Sequence, residues 1–527
     1  MDVLEPTEQE RRLYYVGLPS SPRLVARSGT EPWTLRLDGW SCYVEKTLRP
    51  VGEHPIVGKW NDDFPTSLRG QAVSLVEQRG LHWHAIDVLR IGYHDVRDAP
   101  VVVFISVEPG SLSWREGRDV ATQFRLLLTS HQLPDVQCEI KESRLVKLAA
   151  PRVLRLPSDD GTSPHTPEMS LISDCVGSVI SPSDMPTLEG TSCLYLRDGR
   201  THATYALTCR HVCFGVGAGA MDPGDLVELL PSTAPSQSFG WMPKKMIQPG
   251  TTTFNKTLSA LKASKEDYQA KVQKFQERAS MVDDDRLPGL IQYYQSLLAN
   301  TTPVLAKFQA RTEPSSRTFG QVAYFRGYAI RRHGELSDWS LVRLDPDRYK
   351  RPLSGLENRV FVGTGFSTLG LDQPRLPDPD GTCRLQGLLG ITVPRTEGST
   401  YYSMPTGIVA KRGAGSGLTF GMYNEAKSVL RTTTGANSTP FIAIEWCVVS
   451  YPQKRDSAFS KPGDSGACIW DIVERRIAGM VTSGLGRDAV LECGDFNLEM
   501  AVDVTYSTPM EWLLEDMAAC GLQLDVL

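Results

Sequence analysis

Lys461-Pro462-Gly463-Asp464-Ser465-Gly466-Ala467 sets a serine between two glycines and directly after an aspartate. Glycine admits backbone dihedrals that a side chain forbids. A turn built on Gly463 and Gly466 can therefore aim amide N–H groups inward, where they would meet a developing negative oxygen. A polar turn with two glycines is also an ordinary loop. The stretch gains meaning only from agreement elsewhere in the chain.

Two other stretches agree. Tyr205-Ala206-Leu207-Thr208-Cys209-Arg210-His211-Val212 is an apolar strand running into a polar corner that ends in a histidine. Ser337-Asp338-Trp339-Ser340-Leu341-Val342-Arg343-Leu344 places an aspartate just before a second apolar strand. A serine hydroxyl is too weak an acid to attack unaided at neutral pH. An imidazole that takes its proton, held in one tautomer by a carboxylate, makes it a nucleophile. A strand-end histidine and a turn aspartate are each commonplace; the order His211, Asp338, Ser465 is what joins them.

On these motifs the chain resembles the trypsin/chymotrypsin-like serine peptidases. Within them it is similar to large trypsin-like proteins of filamentous fungi, relatives of the bacterial glutamyl endopeptidases. The resemblance also rests on E-G-T-S-C-L-Y-L (189–196), K-R-G-A-G-S-G-L-T-F-G (411–421), A-F-S-K-P-G-D-S-G-A (458–467) and I-A-G-M-V-T-S-G (477–484). It spans about residues 170 to 515, minus one insertion. It implies an all-β double barrel of the chymotrypsin-like kind with a C-terminal helix, and a catalytic triad of His211, Asp338 and Ser465. The N–H groups of Gly463 and Ser465 would form the oxyanion hole, and Thr482, Ser483 and Gly484 the edge that pairs with an extended protein or peptide substrate. No cofactor and no metal are implied. Phe459 stands where trypsins carry the specificity aspartate, unless Asp456 is presented by a loop of different length. Val481 stands where the glutamyl branch carries a histidine. Both favour an apolar or small residue before the scissile bond. Whether a liberated N-terminus must pair with Asp464 is left open by the resemblance.

The chain has 527 residues, of which 41% are hydrophobic, and a formal net charge of −5. That length suits about two to four domains, and the charge balance gives no support to a nucleic-acid partner or an anionic membrane surface. The first residues, MDVLEPTEQERRLYYVGLPSS, lack a basic segment followed by an apolar one, the pattern of a secretory signal. The longest apolar strand, Ala99 to Val107, is too short to span a bilayer. Eleven cysteines are scattered along the chain, and Val212 stands where secreted trypsin-like enzymes place a bridging cysteine. A reduced, cytoplasmic protein is expected.

Residues 1–37 read as a partly flexible N-terminus and 38–141 as an α/β accessory domain. Trp40, Cys42 and Val44 alternate as in a strand, and Leu68, Ala72, Leu75 and Val76 take helical spacing. Strands at 84–92 and 100–107 follow. A second helix opens with a capping box on Ser113 and Glu116, and Val136, Cys138 and Ile140 close the pattern. The order β-α-β-β-α-β matches a ferredoxin-like split βαβ. Residues 142–168, with Pro151, Pro157, Pro164 and Pro167, read as a linker, and 169–527 as the protease domain. Within the latter, 253–312 is an insertion. Phe254, Leu258, Leu261, Lys265, Tyr268, Val272, Phe275 and Ala279 form a heptad seam of roughly 39 Å. A second helix follows, and Thr302-Pro303 opens a short third segment. The helical hairpin would pack on the barrel or serve as a partner-binding or self-associating arm. His82, His84 and His94 lack the companions of a metal site, and the glycines at 413–421 do not match a phosphate loop. The leading reading is a serine endopeptidase. The alternatives are a protease-like scaffold with a blocked or latent triad, and a different acyl hydrolase on the same barrels.

Overall fold

A computed structural model describes residues 5–40, 42–94, 96, 99–148, 166–215, 227–231, 244–349, 351–363, 378, 380–390, 407–432, 440–451, 458–488 and 500–527. Asp456 and most of the 142–168 linker lie outside the described residues. The N-terminus departs from expectation. Helix α1 (Glu8–Leu13) is capped by Thr7, and β1 (Leu24–Arg27) runs antiparallel to β5 (Gln137–Glu142). Tyr14 and Tyr15 are buried and donate to the Glu139 carboxylate at 2.7 and 2.8 Å. Burying two rings and a satisfied carboxylate orders a segment that shows little periodicity.

The strand expected at Trp40–Val44 is replaced by a turn. Asp38 captures the N–H groups of Trp40 and Cys42 at 2.8 and 2.9 Å, and Trp40 is 88% exposed. The strand proper, β2 (Lys46–Arg49), comes later. After it come α2 (Ile56–Asn61), α3 (Leu68–Gln78), β3 (Trp83–Tyr93), β4 (Val101–Val107) and α4 (Trp114–Ser130), the last with the Ser113/Glu116 capping box in place. β2 pairs with β3 and β3 with β4, both antiparallel, and β4 lies parallel to β5. Neighbours in sequence are thus neighbours in space. A ferredoxin-like sheet would interleave them, so that expectation is corrected. The alternation of strands and helices is local information, whereas strand order is decided by which edges find partners.

The N-terminal layer does not end at its own edge. β3 also pairs with a strand at 428–432, Val429 opposite Ile86. Beyond β5 the chain turns at the buried Ser143 into β6 (Arg144–Lys147). Part of the expected linker is therefore a strand.

A half-barrel follows α5 (Thr166–Leu171). Its strands are β7 (Val179–Pro182), β8 (Gly190–Thr191), β9 (Tyr195–Asp198), β10 (Thr204–Thr208), β11 (Lys245–Ile247), β12 (Thr318–Phe325) and β13 (Ser340–Leu344), with the short helix α6 (Arg210–Phe214) after β10. Between β11 and β12, α7 (Thr251–Ala279) and α8 (Leu287–Gln309) form a hairpin. Phe254, Leu261, Val304, Leu305 and Phe308 pack its base with Val179 and Ala414, while Met281 at its far end is 81% exposed. α8 runs through Pro303, so no third segment begins there. The buried side chains just after it hold the helix together against the one missing N–H.

β14 (Arg359–Phe361) and β15 (Thr382–Arg384) make a small ribbon. The remaining strands are β16 (Ile408–Gly413), β17 (Gly417–Tyr423), β18 (Ser428–Thr432), β19 (Phe441–Tyr451), β20 (Cys468–Asp471), β21 (Ile477–Asp488) and β22 (Met500–Pro509). Six of them close into an antiparallel barrel in the order β16-β17-β19-β22-β21-β20 and back to β16. β18 leaves the ring to bridge β19 and β3. Helix α9 (Met510–Ala519) and β23 (Leu524–Val526), paired with β9, return the chain to the half-barrel. No helix among the described residues is long and apolar enough to cross a membrane. Ten cysteines are described and all are free.

The N-terminal layer and the closed barrel share one core: Tyr15, Leu24, Leu89 and Phe104 pack with Val449, Leu485, Val504 and Tyr506. Buried polar groups bridge the same seam. Asp87 accepts from Ser428 at 2.6 Å and from Tyr506 at 2.9 Å, and Asp503 accepts from Ser20 N at 2.7 Å. Ile86→Ala, at the β3–β18 junction, should lower stability by about 2–5 kcal/mol. In urea the variant should still unfold in one transition seen by the N-terminal and barrel tryptophans alike; two separated transitions would mean that the layer and the barrel are independent.

Candidate active site

Register places the histidine beside the aspartate. β10 and β13 are antiparallel with Thr208 opposite Ser340, so the residues after β10 meet those before β13. His211, in α6, thereby faces Asp338: Nδ1 lies 2.7 Å from Oδ2, and the His211 backbone N–H donates to Oδ1 at 3.1 Å. Trp339 Nε1 donates to Asp516 of α9 at 2.8 Å and pins the loop that carries Asp338. Ser465 comes from the closed barrel, in the turn before β20. Its Oγ lies 2.7 Å from His211 Nε2. With Nδ1–H donating to the carboxylate, Nε2 is the acceptor and the hydroxyl donates to it.

Thr191 of β8 fastens the two halves around this contact. Its N–H donates to Ser465 O at 2.8 Å and its hydroxyl to Gly463 O at 2.9 Å. Gly463 and Gly466 have φ of +103° and +88°. A Cβ on Gly466 would stand 2.2 Å from Thr191 O, so both conformation and space require glycine there.

Behind the turn, Asp464 is fully engaged. It accepts from the N–H groups of Gly415, Ser416 and Lys461 at 2.7, 3.0 and 2.8 Å, and its Oδ2 lies 2.9 Å from the ammonium of Lys411. Both side chains of that pair are wholly buried. An internal lysine thus stands where a liberated N-terminus would have to come. Lys411 was missed in the sequence because its partner lies far off in the turn before β20, although a lysine in an apolar strand is a signal in itself.

The groove beside Ser465 is occupied by the chain itself. β6 runs antiparallel to β21, with Lys147 opposite Ser483 and Val146 opposite Gly484. The next residue, Leu148, is buried, and its carbonyl oxygen accepts from the N–H of Gly463 and from that of Ser465, the latter at 3.4 Å. Its side chain joins an apolar cluster with Phe459, Val481, Ala458, Val448 and Val502. Lys147 points the other way. Its ammonium lies 2.6 Å from Asp338 Oδ2 and 5.6 Å from the centre of the Tyr328 ring. A small cavity lined by Lys147, Asp338, Glu445, Thr482 and Ser483 surrounds it.

These contacts set the charges. Burial would raise the Asp338 carboxyl, but His211 and Lys147 together hold it well below the usual carboxylate range. Burial lowers the His211 imidazole below its ordinary value; Asp338 opposes this and the Lys147 charge adds to it. Burial pushes Glu445 up to about 8, so it stands protonated at neutral pH with Thr508 as its partner. Cys209, His211 and Asp338 offer ligand atoms within 4.8 Å of one another. His211 and Asp338 are hydrogen-bonded to each other there.

All the site residues read from the sequence thus lie around one point: His211, Asp338 and Ser465 in contact, Gly463 and Ser465 donating to one oxygen, Thr482, Ser483 and Gly484 on the adjoining strand, and Phe459 in the apolar cluster. Sequence reading missed Lys147, Leu148, Lys411 and Glu445. Compared with known proteins, the chain matches no family model and no curated sequence is significantly similar to it.

Lys411→Met should destabilise the protein by about 3 kcal/mol or more, because it leaves the Asp464 charge buried without its cation. Urea denaturation measures this. An unchanged midpoint would mean that the backbone donors alone hold Asp464.

Proposed function

We propose that the protein is a serine-type endopeptidase of the trypsin/chymotrypsin-like kind, acting through His211, Asp338 and Ser465. The observation that carries the reading is the continuous chain of contacts Ser465 Oγ–His211 Nε2 and His211 Nδ1–Asp338 Oδ2, both at 2.7 Å, beside two N–H donors aimed at one carbonyl oxygen. The closed barrel facing a half-barrel, with the three residues at their junction, is compatible with the double-barrel architecture of those enzymes.

In this mechanism the Ser465 hydroxyl gives its proton to His211 Nε2 as Oγ attacks a carbonyl carbon. The oxygen takes up negative charge between the N–H groups of Gly463 and Ser465, each such donor being worth roughly 3 kcal/mol in the transition state. Asp338 stabilises the imidazolium, which then protonates the leaving amine. Water hydrolyses the acyl-enzyme by the same route. Substrates would be proteins or peptides bound in extended form along Thr482–Gly484. The free cysteines suit a reduced, cytoplasmic setting.

A filled groove favours a second reading, a scaffold whose triad is latent and whose hairpin tip, with Met281 and Val282 exposed, binds a partner or a second copy. A fluorophosphonate probe separates the two. Ser465 should be phosphonylated in the full chain, faster in Leu148→Gly, and not in Ser465→Ala. Absence of modification in both serine-bearing proteins would leave the scaffold.

The rate of that modification should follow the neutral form of His211. A base whose pKa is lowered keeps its neutral form to more acid pH, so the midpoint of the acid limb should fall below the ordinary imidazole value of 6.5. A midpoint at or above that value would contradict the burial of His211.

A further inference from the structure

Resting on that reading, we infer that the chain's own Leu148 carbonyl is a substrate of Ser465: the protein cuts itself after Leu148 and selects lysine-leucine at the two positions before the scissile bond. Four features of a bound substrate coincide in Arg144–Leu148. The backbone of β6 pairs with Ser483–Gly486 of β21 in an antiparallel ladder, the arrangement by which an extended peptide adds to a sheet edge. The Leu148 carbonyl takes the N–H groups of both Gly463 and Ser465, the donors reserved for the reacting oxygen. The Leu148 side chain fills the apolar cluster with Phe459 and Val481; a Cβ on Gly484 would stand 2.7 Å from Val502 Cγ1, so that wall of the cluster is closely packed. Lys147, on the opposite face, lies against Asp338 and Tyr328.

The chemistry balances with water alone. Ser465 Oγ bonds to the Leu148 carbonyl carbon, and its proton passes to His211 Nε2. The bond from that carbon to the nitrogen of the next residue, Ala149, breaks, and the nitrogen takes the proton from His211. A water then attacks the Leu148–Ser465 ester, gives one proton to His211, and frees a Leu148 carboxylic acid and the serine hydroxyl. One water is consumed, and no oxidant or reductant is needed.

Selectivity follows from the same contacts. The pocket of Leu148 contains Phe459, Val481, Ala458 and Val502, so a charge there would be buried without a partner. At the preceding position, lysine meets the catalytic carboxylate itself. Self-cleavage need not release residues 1–148, since β3 remains paired with β18 and the shared core is intact.

The test is intact mass of the purified full chain with the fluorophosphonate assay run beside it. Wild type should separate under denaturing conditions into fragments 1–148 and 149–527, and Ser465→Ala should stay whole at 58.2 kDa. Leu148→Met should cut, whereas Leu148→Asp should cut at least ~100-fold more slowly, as an unpaired carboxylate in an apolar pocket requires. Lys147→Met should slow the cut about tenfold or more through loss of the ion pair with a buried carboxylate, and Lys147→Arg should restore part of it. A chain whose Ser465 reacts with the probe but which stays whole, or is cut at another bond, overturns the inference and leaves the proposed function standing. A chain that neither reacts, in wild type or in Leu148→Gly, nor cuts removes both.

Discussion

The edge of β21 between Ser483 and Gly486 is the constraint on which the rest of the site depends. An unpaired edge strand presents a row of backbone donors and acceptors that something must cover, and here the chain covers it with Arg144–Lys147. Once that ladder is in register, little remains free. Side chains alternate along a strand, so the register that sends Leu148 into the apolar cluster sends Lys147 to Asp338. A slip of one residue would exchange them, putting an ammonium among Phe459 and Val481. One backbone pairing therefore sets both side-chain positions and the location of the carbonyl.

Two lysine–aspartate pairs flank Ser465, one wholly buried and one with a partly exposed lysine, and they do different work. Lys411 and Asp464 belong to the closed barrel and hold the turn of Gly463 and Gly466 from behind. Lys147 and Asp338 join the barrels to the strand in the groove. The second pair also acts on His211. Burial lowers the His211 imidazole below its ordinary value, and the Lys147 charge beside Asp338 adds to that.

The meeting of His211, Asp338 and Ser465 was legible in the sequence because chemistry restricts residue type and local pattern together: glycines around Ser465, a strand ending before His211 and a strand beginning after Asp338. The fold was legible where signals are local, as in the Ser113 capping box and the heptad of α7. It failed where the deciding contact is distant. Strand order in the N-terminal layer depends on β1 and β18, neither of which is visible from within residues 38–141. The R-L-V-K-L run is five residues long and sits before a proline-dotted stretch, so composition reads it as a linker. Only the open edge of β21 makes it a strand. Lys411 and Glu445 share the same obstacle, since each is a charged residue in an apolar strand whose meaning lies across a barrel.

The pairing of β3 with β18 has a consequence for how the chain is made. Asp87 and Ser428, which share a hydrogen bond across it, are 341 positions apart. The ribosome delivers the N-terminal layer long before the strand that completes it, and β3 must wait with an open flank that invites wrong partners. β6 is in the same position, because β21 and Ser465 are both synthesised after it. The strand that fills the groove is therefore already synthesised when Ser465 emerges.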